Sequence, residues 1–501
     1  MPPLTLVGGG PIPLVLSPPL LLAPMAGLSS SPLRRLCVEQ GAALATSELL
    51  VAACLARREP ATLRLAAWPA DEPRPRSAQI YGVRPADLEA AAALLVSGEL
   101  DGGGGDDGAD ANAGGADAGA AAARSSASTD FPPPPPPPSP FGRLRHIDVN
   151  FGCPVRKITS RGGGAALPAR PRLFASLVRA AVRGAAGCAA VTVKLRIGVA
   201  SGTAAADTCL EAGAIAAAEG AAAVTLHCRR AEQGYAPPCD WGAAARLVER
   251  LSLGAGGGSG RDAVPVILNG DVCTGRQALR ALRETGAGGV MVGRAALGRP
   301  WAFRGMARAM AGAAASGGGE EEEEEEEEEH EPTLGEALAV ALRHAQLWAE
   351  HERWLDGRAG VMGFAALPGP GRRRQGSRGD GGGRPDDDAE ARALLKMRRM
   401  WPLYTLGYDA GARDALLPAL ARCESVAAAH AVVGAAAAAA GARGLPAFGS
   451  RPAAWAATAG RLKTGPHGAV QRVALPDQWL AAEHIFEERA PDGCLDGAAE
   501  G

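Results

Sequence analysis

HIDVNFGC at residues 146–153, VTVKLRIG at 191–198, AVTLHCR at 223–229, VPVILNGD at 264–271 and GGVMVGRAAL at 288–297 are short, mostly apolar runs, each closing on polar, charged or glycine residues. Helix-like stretches such as PRLFASLVRAAV and GRQALRALRETG lie between them. Apolar strands alternating with helices predict a parallel sheet covered by helices. Three more runs upstream, LLLAPMAG (20–27), ALATSELL (43–50) and SAQIYG (77–82), bring the number to eight. Eight such units predict an α/β fold of the closed (β/α)8 TIM-barrel type. A doubly wound open sheet is the alternative, but no G-x-G-x-x-G follows a first strand.

The chain of 501 residues, 47% of them hydrophobic, has room for a large barrel and a smaller partner. Much of the excess in its 68 Gly and 39 Pro sits in a few segments. Residues 101–140 run from Asp/Gly/Ala repeats into Pro132–Pro138, and residues 311–332 contain ten consecutive Glu, Glu320 to Glu329. An insert at 367–390 is rich in Gly, Arg and Asp. Such compositions oppose packing and are tolerated in surface loops, so all three are expected to be disordered inserts or linkers. Setting the two acidic segments aside turns a net charge of −2 into about +13, a basic body suited to nucleic acid.

The ten cysteines are scattered without a CxxC pair, so neither a metal site nor a disulfide framework is expected. No run of about 20 apolar residues exists, and a membrane span is not expected. No basic residue precedes Arg34, and a strand begins near Leu20, which leaves little place for a targeting leader. A cytoplasmic protein is expected, with an organellar address still open.

The strand ends carry the chemistry. Met25, Glu48, Gln79, Asn150 with Cys153, Lys194 with Arg196, His227 with Arg229, Asn269 with Asp271, and Gly293 with Arg294 all fall there. Active sites of barrels are built at that face. One Asn or His at a strand end is ordinarily a turn former, but eight strands ending this way point to one site. Glycines in NGD and GRAALG, with Arg294, suit a phosphate. Lys194 suits negative charge developing on a cofactor ring, and Gln79 and Asn150 suit the edge of a heterocycle. Cys153 lies between Gly and Pro with Arg156 and Lys157 close by, so a lowered thiol pKa and a role as acid or nucleophile are expected.

APMAGLSSSPLRRL, AQIYG, DVNFGCPVRKITSRGGGAAL, VTVKLRIG, LHCRRAEQGY, NGD and GVMVGRAALGRPWAF together resemble the successive motifs of the tRNA-dihydrouridine synthases. GRAALGRPW is most similar to the bacterial B-type branch. The resemblance covers roughly residues 20–306 and implies an FMN-bearing barrel that uses NADPH to reduce the C5=C6 bond of a uridine in tRNA. It places FMN against Pro24, Met25, Ala26, Gln79, Lys194, His227, Asn269, Gly270, Asp271, Gly293 and Arg294. It makes Cys153 the proton donor to C5, with hydride going to C6, and sets Asn150, Lys157, Arg161 and Arg196 toward the substrate. Saturating C5=C6 does need an acid within reach of C5, and the base must leave its stack.

A small helical tRNA-binding domain is implied at 333–440, after a barrel domain at 1–310. LGEALAVALRHAQLWAEHE reads as an amphipathic helix. LLKMRRMWPLYTLGY resembles the family's basic pair followed by an aromatic, with Arg398, Arg399 and Tyr404 at those positions. Met400 stands where a His is usual, and Pro402 is expected to interrupt the helix. Residues 441–501 match no pattern. Two rival functions fit parts of the sequence: an FMN barrel acting on free pyrimidines or enones, as dihydroorotate dehydrogenases do, and a flavin-poor RNA-binding relative. The basic body and helical domain speak against the first, and the complete set of chemical positions against the second. Which uridine would be reduced is not encoded in these motifs.

Overall fold

The computed structural model describes residues 2–7, 13–69, 71–98, 144–203, 207–235, 237–255, 263–315, 332–358, 385–408 and 410–442. Two short strands, β1 (Leu4–Leu6) and β2 (Leu14–Leu16), pair antiparallel at the start. Then come β3 (Leu20–Leu22), β4 (Leu44–Val51), β5 (Arg76–Tyr81), β6 (His146–Phe151), β7 (Ala190–Arg196), β8 (Ala223–His227), β9 (Val266–Asn269) and β10 (Gly289–Val292). These eight close into a barrel in chain order, with β10 returning to pair with β3. Each lies within one of the eight runs quoted above, apart from one residue at either end of β4, β5 and β7, and the open-sheet alternative is excluded.

Strand β6 shows why the barrel forms. Successive side chains of a strand face opposite ways. Ile147, Val149 and Phe151 face the helical layer, where the Phe151 ring meets Phe174 of helix Pro171–Ala185 at 4.6 Å. His146, Asp148 and Asn150 face inward and hydrogen-bond to Ser77 and Gln79 of β5 and Thr192 of β7, the two neighbouring strands. The interior is therefore strongly polar, in contrast to the branched aliphatic filling usual for this fold.

Sequence reading does not anticipate the N-terminal hairpin. Its Leu4, Leu6, Leu14 and Leu16 pack on Leu21, Leu44, Ala190, Ala223, Ile267 and Met291 and cap the barrel floor. Burying those leucines at roughly 1.5–3 kcal/mol each offsets the ordering of two three-residue strands at about 1–2 kcal/mol per residue.

Among the described residues, four helices follow the barrel and its last helix: Leu334–Arg358, Pro385–Thr405, Ala410–Arg422 and Val426–Ala442. A reciprocal cap starts the first, Thr333 N–H donating to Glu336 Oε2 at 2.8 Å and Glu336 N–H to Thr333 Oγ1 at 3.3 Å. Along Pro385–Thr405 the buried positions are Ala389, Ala393, Leu394, Met397, Met400, Trp401 and Tyr404, a helical stripe. Tyr404 is therefore a core residue bonded to His344 Nδ1 at 3.2 Å, and not the exposed aromatic partner of the basic pair. Arg398 and Arg399 do face solvent. Pro402 stays inside the helix instead of interrupting it; burial of Trp401 and Tyr404, at roughly 1.5–3 kcal/mol each, offsets its cost of ~3 kcal/mol.

Two boundaries move. Helix Ala302–Ala315 runs past residue 310, and Pro385 opens its helix inside the segment expected to be an insert. The rest of that insert, the Asp/Pro-rich stretch at 101–140, the ten Glu and residues 443–501 lie outside the described residues. Among the described residues no helix is long and apolar enough to cross a membrane, and no group of His, Cys, Asp or Glu is arranged to hold a metal ion.

Candidate active site

The parallel register assembles the site. It sets Gln79 beside Asp148, Asn150 beside Lys194, Arg196 beside His227, and His227 beside Asn269 at the C-terminal mouth. Lys194 Nζ donates to Asn269 Oδ1 at 2.9 Å, and Asn269 Nδ2 donates to the Met291 carbonyl at 2.8 Å. Burial, then the like charge of Arg196, lowers Lys194 to about 8. His227 is held well below its ordinary value by burial and by the cations around it, so it is neutral at physiological pH.

Lys194, Arg196, Arg229 and Arg294 gather in this mouth. Asp271, with φ of +53°, turns its carboxylate to Arg229 at 2.6 Å and Arg294 at 3.3 Å. Arg294 lies 4.2 Å over the Tyr235 ring, and its buried Nη1 has no hydrogen-bond partner. A cation cluster with an unmet buried donor suits an anion rich in acceptor oxygens. Gly293 adjoins Met25 in β3's loop, where Met25 N–H donates to Ser29 Oγ at 2.9 Å; Pro24 and Met25 are half-buried and Ala26 is exposed. Gly270 has φ of +129°, and a Cβ there would sit 2.2 Å from Cys239 Sγ. Gly298 of GRAALG lacks a Cβ for another reason, since one would sit 2.3 Å from the Leu403 backbone of the helical unit.

Cys153 follows β6 and is held from both sides. Asn150 Oδ1 accepts from Gly152 N–H at 3.2 Å and Cys153 N–H at 3.0 Å, while Arg196 Nε donates to the Gly152 carbonyl at 2.9 Å. Arg196, only 4% exposed, also donates to the Arg230 carbonyl. It thus clamps two loops. Lys157 is exposed and Arg161 half-buried near the same loop. The Cys153 pKa corrects the expectation from sequence. Burial raises it, against a Val155 backbone bond and Arg196, and neither Arg156 nor Lys157 contributes. The thiol keeps its proton at neutral pH, which suits an acid and not a nucleophile.

Gly164 closes the same loop. With φ of +54°, a Cβ there would lie 2.5 Å from the Cys153 carbonyl oxygen, which accepts from Ala165 N–H at 3.0 Å. Gly164→Ala is expected to displace the Cys153 turn and cost on the order of 1–3 kcal/mol, read by denaturant unfolding; unchanged stability would show that the turn relaxes freely.

Sequence reading missed His146, Asp148 and Thr192, which hold the strand-end residues from below, and Tyr235 beside Arg294. The signal for the first three was the strict alternation of polar and apolar residues in HIDVN and in VTVK.

A closed parallel barrel with its polar and cationic side chains converging on one mouth, beside a protonated thiol, defines a barrel enzyme with an anion-accepting site there. The chain belongs to the dihydrouridine synthase family, whose model matches residues 21–102 and 142–351. A relative in Mycobacterium tuberculosis, named a probable tRNA-dihydrouridine synthase, is 37% identical over 347 residues, spanning 68% of this chain and 71% of the relative. One of the same name in Rhodobacter capsulatus is 31% identical over 300 residues, spanning 59% and 73%. The tRNA-dihydrouridine synthase B of Xanthomonas axonopodis pv. citri is 30% identical over 299 residues, spanning 60% and 72%.

Proposed function

We propose that the chain reduces the C5=C6 bond of uridines in tRNA, with FMN held in the barrel mouth and NADPH as reductant. The observation that carries this reading is Cys153 on a turn that Asn150 and Arg196 hold beside a mouth whose cations include an unpartnered Arg294 donor. The residues fit FMN. Arg294 and the backbone around Gly270 and Gly293 would take its phosphate, with Asp271 orienting Arg294 and Arg229. Lys194 and Gln79, with Pro24, Met25 and Ala26, His227 and Asn269, would line the rest. When bound, the group supplies hydride from NADPH to C6 of uracil.

The chain's own residues do the remainder. Cys153 Sγ–H holds the proton for C5, Asn150 and Arg196 fix its turn, and the mouth takes in a base that has left its stack. Lys157 and Arg161 beside the mouth, and Arg398 and Arg399 on the helical domain of 333–440, would meet phosphates of the RNA. The deciding experiment incubates dihydrouridine-free tRNA with the protein, FMN and NADPH and analyses its nucleosides by mass. A uridine two hydrogens heavier is expected. A yellow protein that oxidises NADPH without that product would favour a free pyrimidine or enone as substrate.

Lys194→Met should weaken FMN retention by about 10- to 100-fold, the value of a hydrogen bond to a charged group. Flavin release followed by fluorescence checks this, and retention should also weaken as pH rises through about 8, where Lys194 loses its charge in the free site.

A further inference from the structure

A continuous run of hydrogen bonds descends from the Cys153 turn into the barrel. Asn150 spends its oxygen on the Gly152 and Cys153 amides, so its Nδ2 must donate, and it does so to Gln79 Oε1 at 2.9 Å. Gln79 is then obliged to donate from Nε2, and its acceptor is Asp148 Oδ2 at 2.7 Å. On the other side Thr192 Oγ1 donates to Asp148 Oδ1 at 2.7 Å and is met by His146 Nε2 at 2.9 Å. Backbone N–H groups only donate, and an ionised carboxylate only accepts. The run is therefore directional, and both arms point at Asp148, which is 0% exposed.

We propose that Asp148 is a positioning residue: its carboxylate sets the direction of the Gln79 and Asn150 amides and through them holds the Cys153 turn at the mouth. The consequence for proton delivery rests on Cys153 being the donor. Burial pushes Asp148 up to about 6, against the hydrogen bonds from Thr192 and Gln79 and the charge of Lys194, so it remains ionised at neutral pH. A carboxylate kept charged at that cost differs from ordinary core filling, because an uncharged amide of the same shape packs equally well but cannot accept from both arms.

The test compares Asp148→Leu with Thr192→Val in the full-length, flavin-loaded protein. An amide at 148 would not serve, because its oxygen can accept from Gln79 while its N–H donates to the Thr192 hydroxyl, which accepts as well as donates. Peptide-resolved hydrogen exchange over 150–155 is the first readout, and kcat and KM for tRNA are the second. Asp148→Leu leaves Gln79 Nε2 without its acceptor. Exchange at 150–155 should quicken by about 10- to 100-fold, with β7 unchanged, kcat lowered by a similar factor and KM for tRNA retained. Thr192→Val leaves the Gln79 arm intact and should leave exchange at 150–155 as in the wild type. Wild-type exchange in Asp148→Leu, or equal damage from Thr192→Val, would overturn the proposal. Should Asp148→Leu fail to fold, Gln79→Leu cuts the same arm one link higher and must free the same segment; slow exchange there would overturn it equally. If the segment is freed while the wild-type protein makes no dihydrouridine, the positioning role stands and the reading of Cys153 as proton donor falls.

Discussion

Replacing Cys153 by Ala should slow dihydrouridine formation by ~10²–10⁴-fold, the usual worth of a positioned general acid, while flavin stays bound and NADPH is still consumed. The expectation follows from the electrostatics of the mouth. Lys194, Arg196, Arg229 and Arg294 are committed to partners or to anion binding, and His227 is kept neutral. The Cys153 thiol combines a retained proton with a turn fixed by Asn150 and Arg196. Single-turnover conversion of tRNA, alongside NADPH oxidation, separates the two half-reactions. An unchanged product rate would remove the proton-donor role, whereas loss of flavin would make Cys153 part of the binding surface.

The second large effect is on stability. Glu352, 0% exposed, accepts from Arg64 of the barrel's outer helix at 3.0 Å, from Arg392 at 2.9 Å and from Lys396 at 2.6 Å. Burial alone would raise its pKa, but Lys396, Arg392 and Arg64 hold it down at about 2. Removing one partner of a buried ion pair costs about 3–5 kcal/mol. Lys396 is 44% exposed and its share is screened, and Arg392 keeps Asp356, so the lower end applies to Glu352→Gln. That corresponds to a fall in melting temperature on the order of 10 °C. Because the folded pKa is depressed, this stabilisation is present above the ordinary glutamate range near 4.5 and is lost as pH falls toward about 2. Wild-type and variant melting curves should therefore converge in acid; a constant gap down to that pH would assign the cost to packing instead of charge.

The barrel was legible because apolar runs and turn residues are local signals, and all eight strands fall on them. The Cys153 thiol was misread because sequence shows its neighbours Arg156 and Lys157, whose side chains lie on the exposed side of helix Arg156–Thr159, whereas burial and Arg196 set its proton affinity. Tyr404 follows the basic pair Arg398 and Arg399 in sequence, yet the spacing Met397, Met400, Trp401, Tyr404 marks the core side of that helix. His146, Asp148 and Thr192 passed as strand filler because their partners come from other strands, and only the register brings them together. The β1–β2 pair was hidden by brevity, as three residues per strand leave no alternation to read.

That hairpin makes the barrel a vessel with a stopped base. Leu4, Leu6, Leu14 and Leu16 seal the end opposite the mouth with aliphatic side chains. Whatever enters must therefore depart along the route by which it came.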